Sequence, residues 1–478
     1  MPTYHYGNRV YRSSRRSHRR RQPSSGPSKK ILSIVLIVLL AAGAGFGIYK
    51  GVGAVRNWVH SVMDDDPSSP ETGAAQASGS AQESEAESIE ADYSPLIKTA
   101  DAMALQYDYD GAIALLKQVE GYENSRQLSE AISRLNNART GLVKTDITKV
   151  AQLSVKTLIA DTTAAFSSGS KETLAANYLT LSEFQAILQQ LYDNGYVLVS
   201  LHDMAYTDAN GYFVGGGIWL PANKKALVLS VEETGTLEAN AGLGLARRLV
   251  IDEEGNPKSE LLRRDGTVAT GDLDVVPVLE SFIKNHPDFS YKGARGILAL
   301  TGYDGILGYR TAAKYSDHAH PDYKPAYDRI DAEAERTGAI QTAARLKELG
   351  WEFASRSWGH LNMAKASLER IQDDYSRWKD QVESLIGQTD ILFFDNGTDI
   401  GNWRSYSAEN EKYAYLSSVG FRYFCGVDLT TIPWVQLSTS AGYLRQGRVT
   451  VNGTQLITYP TRVEPFFDAG SVTDPARP

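Results

Sequence analysis

The stretch "LTLSEFQAILQQLYDNGYVLVSLHD", residues 179–203, places an amphipathic helix directly before a strand. Its apolar side chains recur at helical spacing and share one face: Phe184, Ile187, Leu188 and Leu191. Thr180 and Glu183 have the spacing of a capping box at the helix start, and Gly195 predicts the helix end. The apolar run that follows predicts a strand closing at His202–Asp203, so the stretch indicates an α/β fold.

The same alternation of strand and helix continues toward the C-terminus. Five more short apolar runs predict strands, at residues 224–233, 296–303, 351–357, 390–397 and 420–428. A helix is predicted over 363–386, with one apolar face: Leu368, Ile371, Tyr375, Trp378, Val382 and Leu385. Strands that alternate with helices predict a parallel sheet, and over residues 148–470 a barrel of repeated strand–helix units fits.

In such barrels, chemistry takes place at the C-terminal ends of the strands. Polar side chains stand at the predicted ends, namely His202–Asp203, Glu232–Glu233, Tyr303–Asp304, Arg356 to His360, and Asp395–Asn396–Gly397. We expect them to form a polar ring over an apolar interior. Paired carboxylates such as Glu232 and Glu233 suit a general base beside a metal ligand, although a solvated acidic pair is the simpler interpretation. Tyr303 and Trp358 suit stacking on a sugar ring, or ordinary core packing.

The charge of the chain is unevenly distributed. Residues 1–30 hold nine Lys/Arg and no acid, which leaves 40 of the 49 basic side chains against 57 Asp/Glu. The acidic remainder and the lack of a Gly-rich phosphate loop argue against nucleic acid as a partner. Cys425 is the single cysteine, which excludes an intrachain disulfide and any cysteine-based zinc site.

The N-terminal part has the pattern of a membrane anchor. Residues 31–49 are uncharged, and 19 residues in a helix span about 28 Å, close to the thickness of a bilayer core. The basic segment 1–30 before this run predicts a cytoplasmic N-terminus and extracellular C-terminal domains. A cleaved signal peptide ending near "AGA", residues 42–44, is the alternative. Residues 50–92 are rich in Ser, Ala, Gly and acids, which predicts a disordered tether.

Residues 93–147 have a helical pattern, with two apolar helices separated by "YDYDG", residues 107–111. The spacing resembles a tetratricopeptide unit, a kind of repeat that needs stacked neighbours for stability. A peptide-binding role and a hairpin that supports the next domain are both open, so a protein partner is possible here.

The strand–helix region resembles the polysaccharide deacetylase family, and the resemblance covers about residues 150–465. It rests on these segments: "TLIAD" (157–161), "SEFQAILQQLYDNGYVLVSLHDM" (182–204), "GILALTGYDGILGYRT" (296–311), "GWEFASRSWGH" (350–360) and "TDILFFDNG" (389–397). The resemblance implies an irregular strand–helix barrel that removes acetyl groups from N-acetylated cell-wall polysaccharide, a hydrolysis of a carbon–nitrogen bond. It also implies a divalent metal such as zinc.

Carried over residue by residue, the resemblance implies Glu232 as the catalytic base, with Glu233 and His360 as metal ligands. In the family, an Asp–Asp pair occupies the positions of Glu232 and Glu233. A His-xxx-His motif supplies two further metal ligands, and here Arg356 replaces its first histidine while His360 keeps the second. Arginine cannot ligate a metal, because it stays protonated. A catalytic zinc site usually has about three protein ligands, so this set is incomplete.

Three further positions depart from the family. The Pro-aromatic-Gly turn that shapes the pocket reads Asp395–Asn396–Gly397, no histidine follows His360 as a general acid, and Val155–Lys156 stand where a histidine is expected. We expect the Arg356 guanidinium to replace the metal charge and to pair with Glu232 or Glu233. The remaining predicted pocket residues are Tyr303, Asp304, Trp358, Asp395 and Asn396.

These observations predict a membrane-anchored extracellular pseudoenzyme that binds or scaffolds cell-wall glycan, such as peptidoglycan, without a cofactor. The alternative is an active metal-dependent deacetylase that works through an altered site.

Overall fold

The computed structural model describes residues 92–235, 237–401, 404–427 and 433–478, without the Asn396 side chain. The predicted basic tail, membrane segment (31–49) and tether therefore lie outside the described residues, apart from Asp92 at the tether's end. Among the described residues, no helix is both long and apolar enough to cross a bilayer.

The helices of the described chain are α1 Ser94–Leu105, α2 Tyr109–Leu116, α3 Arg126–Arg139, α4 Thr162–Phe166, α5 Lys171–Asn177, α6 Leu181–Asp193, α7 Leu201–Met204, α8 Val275–Asn285, α9 Ala332–Leu349, α10 Leu368–Trp378, α11 Ser384–Ile386, α12 Glu411–Ser418, α13 Gly453–Ile457 and α14 Ala469–Val472. A π-helical turn, Lys379–Glu383, joins α10 to α11.

The strands are β1 Leu142–Lys144, β2 Ala151–Lys156, β3 Tyr196–Leu198, β4 Ala205–Thr207, β5 Phe213–Gly215, β6 Trp219–Pro221, β7 Lys225–Glu232, β8 Arg248–Ile251, β9 Pro257–Leu262, β10 Val268–Gly271, β11 Ile297–Leu300, β12 Glu352–Ser355, β13 Ile391–Phe393, β14 Tyr423–Val427, β15 Val435–Ser438 and β16 Tyr443–Thr450.

Seven parallel strands close into a barrel. The ring runs β7, β11, β12, β13, β14, β16 and β2, and β2 pairs with β7 to complete it. Strand β3 adds to β7 outside the ring, and β15 pairs antiparallel with β16. The barrel of strand–helix units that the sequence predicts is thus confirmed as a closed, parallel, helix-covered α/β barrel.

The quoted stretch 179–203 folds as predicted in its first half. Thr180 and Glu183 form the capping box of α6, whose predicted apolar face is buried, and Gly195 takes a left-handed φ of 77° after the helix end. The second half differs, because β3 ends at Leu198 and α7 follows it. The helix predicted over 363–386 begins only at Leu368, where Ser367 caps α10, and is interrupted by the π turn.

Alternation along the strands divides the side chains between two layers. On β7, Leu227, Leu229 and Val231 face the helices, whereas Val228 and Glu232 face the barrel interior. The interior also holds polar side chains, since Gln152, Ser154, Gln446 and Arg448 are all buried there. The expectation of an apolar interior is therefore met only in part.

The helical unit packs against the N-terminal end of the barrel. Tyr107, between α1 and α2, donates its hydroxyl to the Asp288 carbonyl at 3.0 Å, and the Lys292 amide donates to the Gln106 carbonyl at 2.7 Å. The segment 287–293 leads into the start of β11. Within the predicted helical unit, β1 also pairs with β6 in the barrel domain.

Candidate functional site

The candidate site lies at the C-terminal ends of the barrel strands, where the chain follows β7, β12 and β13. Because side chains alternate along a strand, Glu232 at the end of β7 and Arg356 just after β12 point into the barrel interior. Asp395 follows the buried Phe393 and Phe394 at the end of β13. Glu232, Arg356 and Asp395 are buried polar residues, between 4 and 8 % exposed. Their burial means that each charge needs a partner of opposite sign.

Arg356 is the partner of opposite charge for Glu232 and Asp395, and also for the neighbouring Glu233. Its Nη2 lies 3.2 Å from Glu232 Oε2 and 2.5 Å from Asp395 Oδ1, and its Nη1 lies 3.7 Å from Glu233 Oε1. The predicted pairing of Arg356 with the Glu232–Glu233 pair is confirmed. The guanidinium therefore occupies the space between the carboxylates.

A second arginine, which sequence reasoning missed, approaches Glu232 from inside the barrel. Arg448 on β16 places Nε 3.0 Å from Glu232 Oε1, which also accepts from Ser154 Oγ at 2.8 Å. Its two terminal nitrogens donate to the carbonyls of Cys425 and Phe394. Arg448 thus fixes the Glu232 carboxylate from below.

Glu233 faces a different set of groups. Lys156 Nζ lies 2.8 Å from its Oε1, and the Tyr178 hydroxyl donates to Oε2 at 3.2 Å. Glu233 itself has a φ of 58°, so the chain turns sharply where β7 ends. The Val155–Lys156 position, noted for its missing histidine, thus supplies a cation to the site.

The acids of this cluster remain ionised down to low pH. Burial by itself would raise the pKa of Glu232, but Arg448 and Arg356 hold that pKa at about 2. Burial would likewise raise the pKa of Asp395, but His360 and Arg356 hold that pKa at about 2. The pKa of Glu233 is also lowered, because Lys156 and Arg356 outweigh the effect of its burial.

The donor set does not fit a divalent metal. The three carboxylates Glu232, Glu233 and Asp395 are balanced by three cations: Arg356, Arg448 and Lys156. No group of three His, Cys, Asp or Glu side chains in the described ranges is placed to hold a metal ion. Arg356 stands among the acids with a charge that it cannot lose, so an added cation would meet repulsion.

The other predicted site residues are dispersed around the mouth of the barrel, which is the opening at the C-terminal ends of its strands. His360 Nδ1 lies 3.6 Å from Asp395 Oδ1, with about 30 % of the histidine side chain exposed. Asp304 forms an ion pair with the buried Lys314 and accepts from the Glu238 amide, so it braces a loop and does not join the charge cluster. The side chain of Asn396 lies outside the described part of the chain.

Two aromatic residues form the rim beside the cluster. Tyr303 is 43 % exposed, and its ring centroid lies 6.2 Å from that of the half-buried Trp358 in an edge-to-face arrangement. Lys314 Nζ lies 4.2 Å from the centre of the Tyr303 ring. The rim therefore offers one exposed aromatic ring held by its neighbours.

The prediction that His202–Asp203 belongs to this ring is wrong. Strand β3 pairs with the first residues of β7, so the chain after β3 remains at the N-terminal end of the barrel. There His202 lies between Glu352, at the start of β12, and Asp390, which precedes β13. The two charge clusters occupy opposite ends of the barrel.

Comparison with solved structures gives a weak structural likeness. No family model matches the chain, and no curated protein matches it. Among solved structures, the Streptococcus pyogenes deacetylase PplD in complex with acetate aligns with a TM-score of 0.35 and 13% identity. The alignment covers 68% of this chain and 98% of that chain.

Proposed function

We propose that the barrel mouth binds a neutral or weakly charged cell-wall glycan and does not hydrolyse it. The observation that carries this proposal is the position of Arg356, whose guanidinium contacts Glu232, Glu233 and Asp395 where the deacetylase resemblance implies a metal.

Loss of hydrolysis follows from the state of the carboxylates. A general base works best when its pKa lies near the working pH and it can reach the proton to be removed. Glu232 has a pKa of about 2 and already accepts bonds from Arg448 and Ser154. Such a carboxylate is a weak base at neutral pH, and the Arg356 guanidinium stands where a metal would have to activate a water molecule.

Glycan binding is supported by the rim. Sugar rings present apolar C–H faces that pack on aromatic side chains, while their hydroxyls need polar partners. Tyr303 supplies an exposed ring, and the partly exposed Lys156 and His360 side chains lie near the charge cluster. Because the charges of the cluster balance, the mouth itself has no strong preference for a charged ligand.

A cell-surface location is part of the proposal and rests on the uncharged segment 31–49. The helical unit that follows this segment in sequence packs at the N-terminal end of the barrel, opposite the mouth. We further propose that the helical unit supports the barrel.

The test uses the full chain, purified in detergent, with chitohexaose and muramidase-solubilised peptidoglycan as probes. We expect binding by calorimetry, no acetate release, and at least about tenfold weaker binding in Tyr303→Ala, because truncating an aromatic hot-spot residue costs about 2 kcal/mol or more. The matched control is Tyr212→Ala, which removes a 69 % exposed tyrosine near the other end of the barrel. Sustained acetate release would indicate a hydrolase, and absence of binding to either probe would overturn the proposal.

A further inference from the structure

The turn that carries the rim tryptophan has a backbone that needs outside support. Ser357 and His360 both take left-handed φ values, 64° and 55°. Residues with a Cβ rarely adopt this conformation, and it persists where surrounding contacts over-determine it. The contacts that hold this turn therefore determine where Trp358 sits.

Asp374 on α10 supplies two of these contacts. Its Oδ1 accepts from the Trp358 amide at 2.7 Å, and its Oδ2 accepts from the Gly359 amide at 3.0 Å. Hydrogen bonds to an ionised carboxylate are stronger than those between neutral groups. One side chain thus fixes two successive amides in the middle of the turn.

The same helical segment fixes the indole. Arg377 on α10 lies with its guanidinium carbon 5.1 Å from the centre of the Trp358 ring. Gln381, in the π-helical turn that follows α10, accepts from the indole Nε1 through its Oε1 at 3.1 Å. Backbone and side chain of Trp358 are therefore held by α10 and the turn that continues it.

Trp358 in turn holds the residue before Tyr303. Its carbonyl accepts from the Gly302 amide at 2.9 Å. Gly302 packs directly against the indole, since a Cβ added there would lie 2.2 Å from Cδ1 of Trp358. The position of Tyr303 on the rim thus depends on that of Trp358.

We propose that Asp374 is the positioning residue of the aromatic rim, acting through the Trp358–Gly359 amides to place Trp358 and Tyr303 for a sugar ring. The ligand part of this inference rests on the proposed glycan binding, whereas the positioning part stands independently.

The test compares three variants of the full chain in detergent. Asp374→Asn keeps the size of the side chain but removes its charge, and Asp374→Glu keeps the charge. Asp373→Asn removes the neighbouring acid, which is exposed on the same helix. Amide hydrogen exchange of Trp358 and Gly359 and calorimetric binding of chitohexaose are measured for each.

We expect Asp374→Asn to speed exchange of both amides about tenfold and to weaken chitohexaose binding by a similar factor, as expected for the loss of charged hydrogen bonds. Asp374→Glu should keep part of the amide protection and part of the chitohexaose affinity. Asp373→Asn should change neither the exchange rates nor the affinity. Unchanged exchange in a folded Asp374→Asn chain, or equal effects of Asp373→Asn, would overturn the inference. If wild-type chain binds no glycan but the exchange result holds, the proposed function fails and the positioning role stands.

Discussion

Nε of Arg448 lies 3.0 Å from Oε1 of Glu232, and both side chains are buried at the upper end of the barrel. The two residues belong to β16 and β7, which both pair with β2 between them. The contact therefore joins two nonadjacent strands through the interior. It also leaves Glu232 fully engaged before any ligand approaches the mouth.

Replacing Arg448 with methionine should strongly destabilise the fold. Methionine keeps much of the apolar length but leaves Glu232 with one cation fewer, and removing one partner of a buried pair typically costs about 3–5 kcal/mol. Urea unfolding followed by circular dichroism would measure the free-energy change. Arg329→Met, at an exposed position, is the control and should change stability by less than about 0.5 kcal/mol. Equal effects of the two substitutions would contradict the role given to Arg448.

Stability should fall on acidification because of the charge cluster. The folded-state pKa of Glu232 is about 2 against an ordinary value of 4.5, so its stabilising contribution is complete above pH 4.5 and is lost as pH falls toward 2. This shift corresponds to roughly 3 kcal/mol. The measurement is the free energy of unfolding in urea from pH 2 to 6, in wild type and Glu232→Gln. The variant should have the shallower pH dependence, and superimposable slopes would count against the assignment.

Introducing the residues that the deacetylase resemblance implies should not produce hydrolysis. In Arg356→His, Arg448 and Lys156 still hold Glu232 and Glu233, and in the triple variant Glu232→Asp, Glu233→Asp, Arg356→His no histidine follows His360 to act as general acid. We expect no acetate release above the wild-type background from peptidoglycan or chitohexaose. Robust release by the triple variant would show that another residue supplies the general acid.

The buried ion pair of Arg477 and Glu183 should contribute as much to stability as that of Arg448 and Glu232. Arg477 donates from Nε to Glu183 Oε1 at 2.7 Å and from Nη2 to the Tyr178 carbonyl at 3.0 Å, and Glu183 is completely buried. Arg477→Ala should therefore cost about 3–5 kcal/mol in urea unfolding. Arg462→Ala removes an arginine that stacks on the exposed Tyr459, and should cost less than about 1 kcal/mol. A cost for Arg477→Ala no larger than that of Arg462→Ala would be the contrary result.

Local patterns in the sequence were sufficient to predict the α/β barrel. The capping box of Thr180 and Glu183 and the apolar face of α6 depend on neighbouring residues, and both are found as expected. The pairing of Arg356 with Glu232 and Glu233 could be predicted too, because the deacetylase resemblance implies a metal there and Arg356 replaces one of its ligands at converging strand ends.

The remaining features depend on contacts between distant residues. Strand β16 reads "YLRQGRVT", and no strand was predicted there, because its arginines and glutamine interrupt the apolar run by which the other strands were found. Arg448 is buried only because Glu232, 216 positions away, is there to receive it. His202 was misplaced for a similar reason, since the length of β3 is set by its pairing with β7 and not by its own apolar run.

The most direct test of the central claim is the zinc content of the full chain, purified from zinc-supplemented medium and measured by plasma mass spectrometry. Because Arg356 holds the place between the carboxylates, we predict far less than one zinc per chain. The contrary result would be about one zinc per chain, the stoichiometry of a mononuclear catalytic site, together with loss of that zinc in Glu233→Gln and His360→Ala.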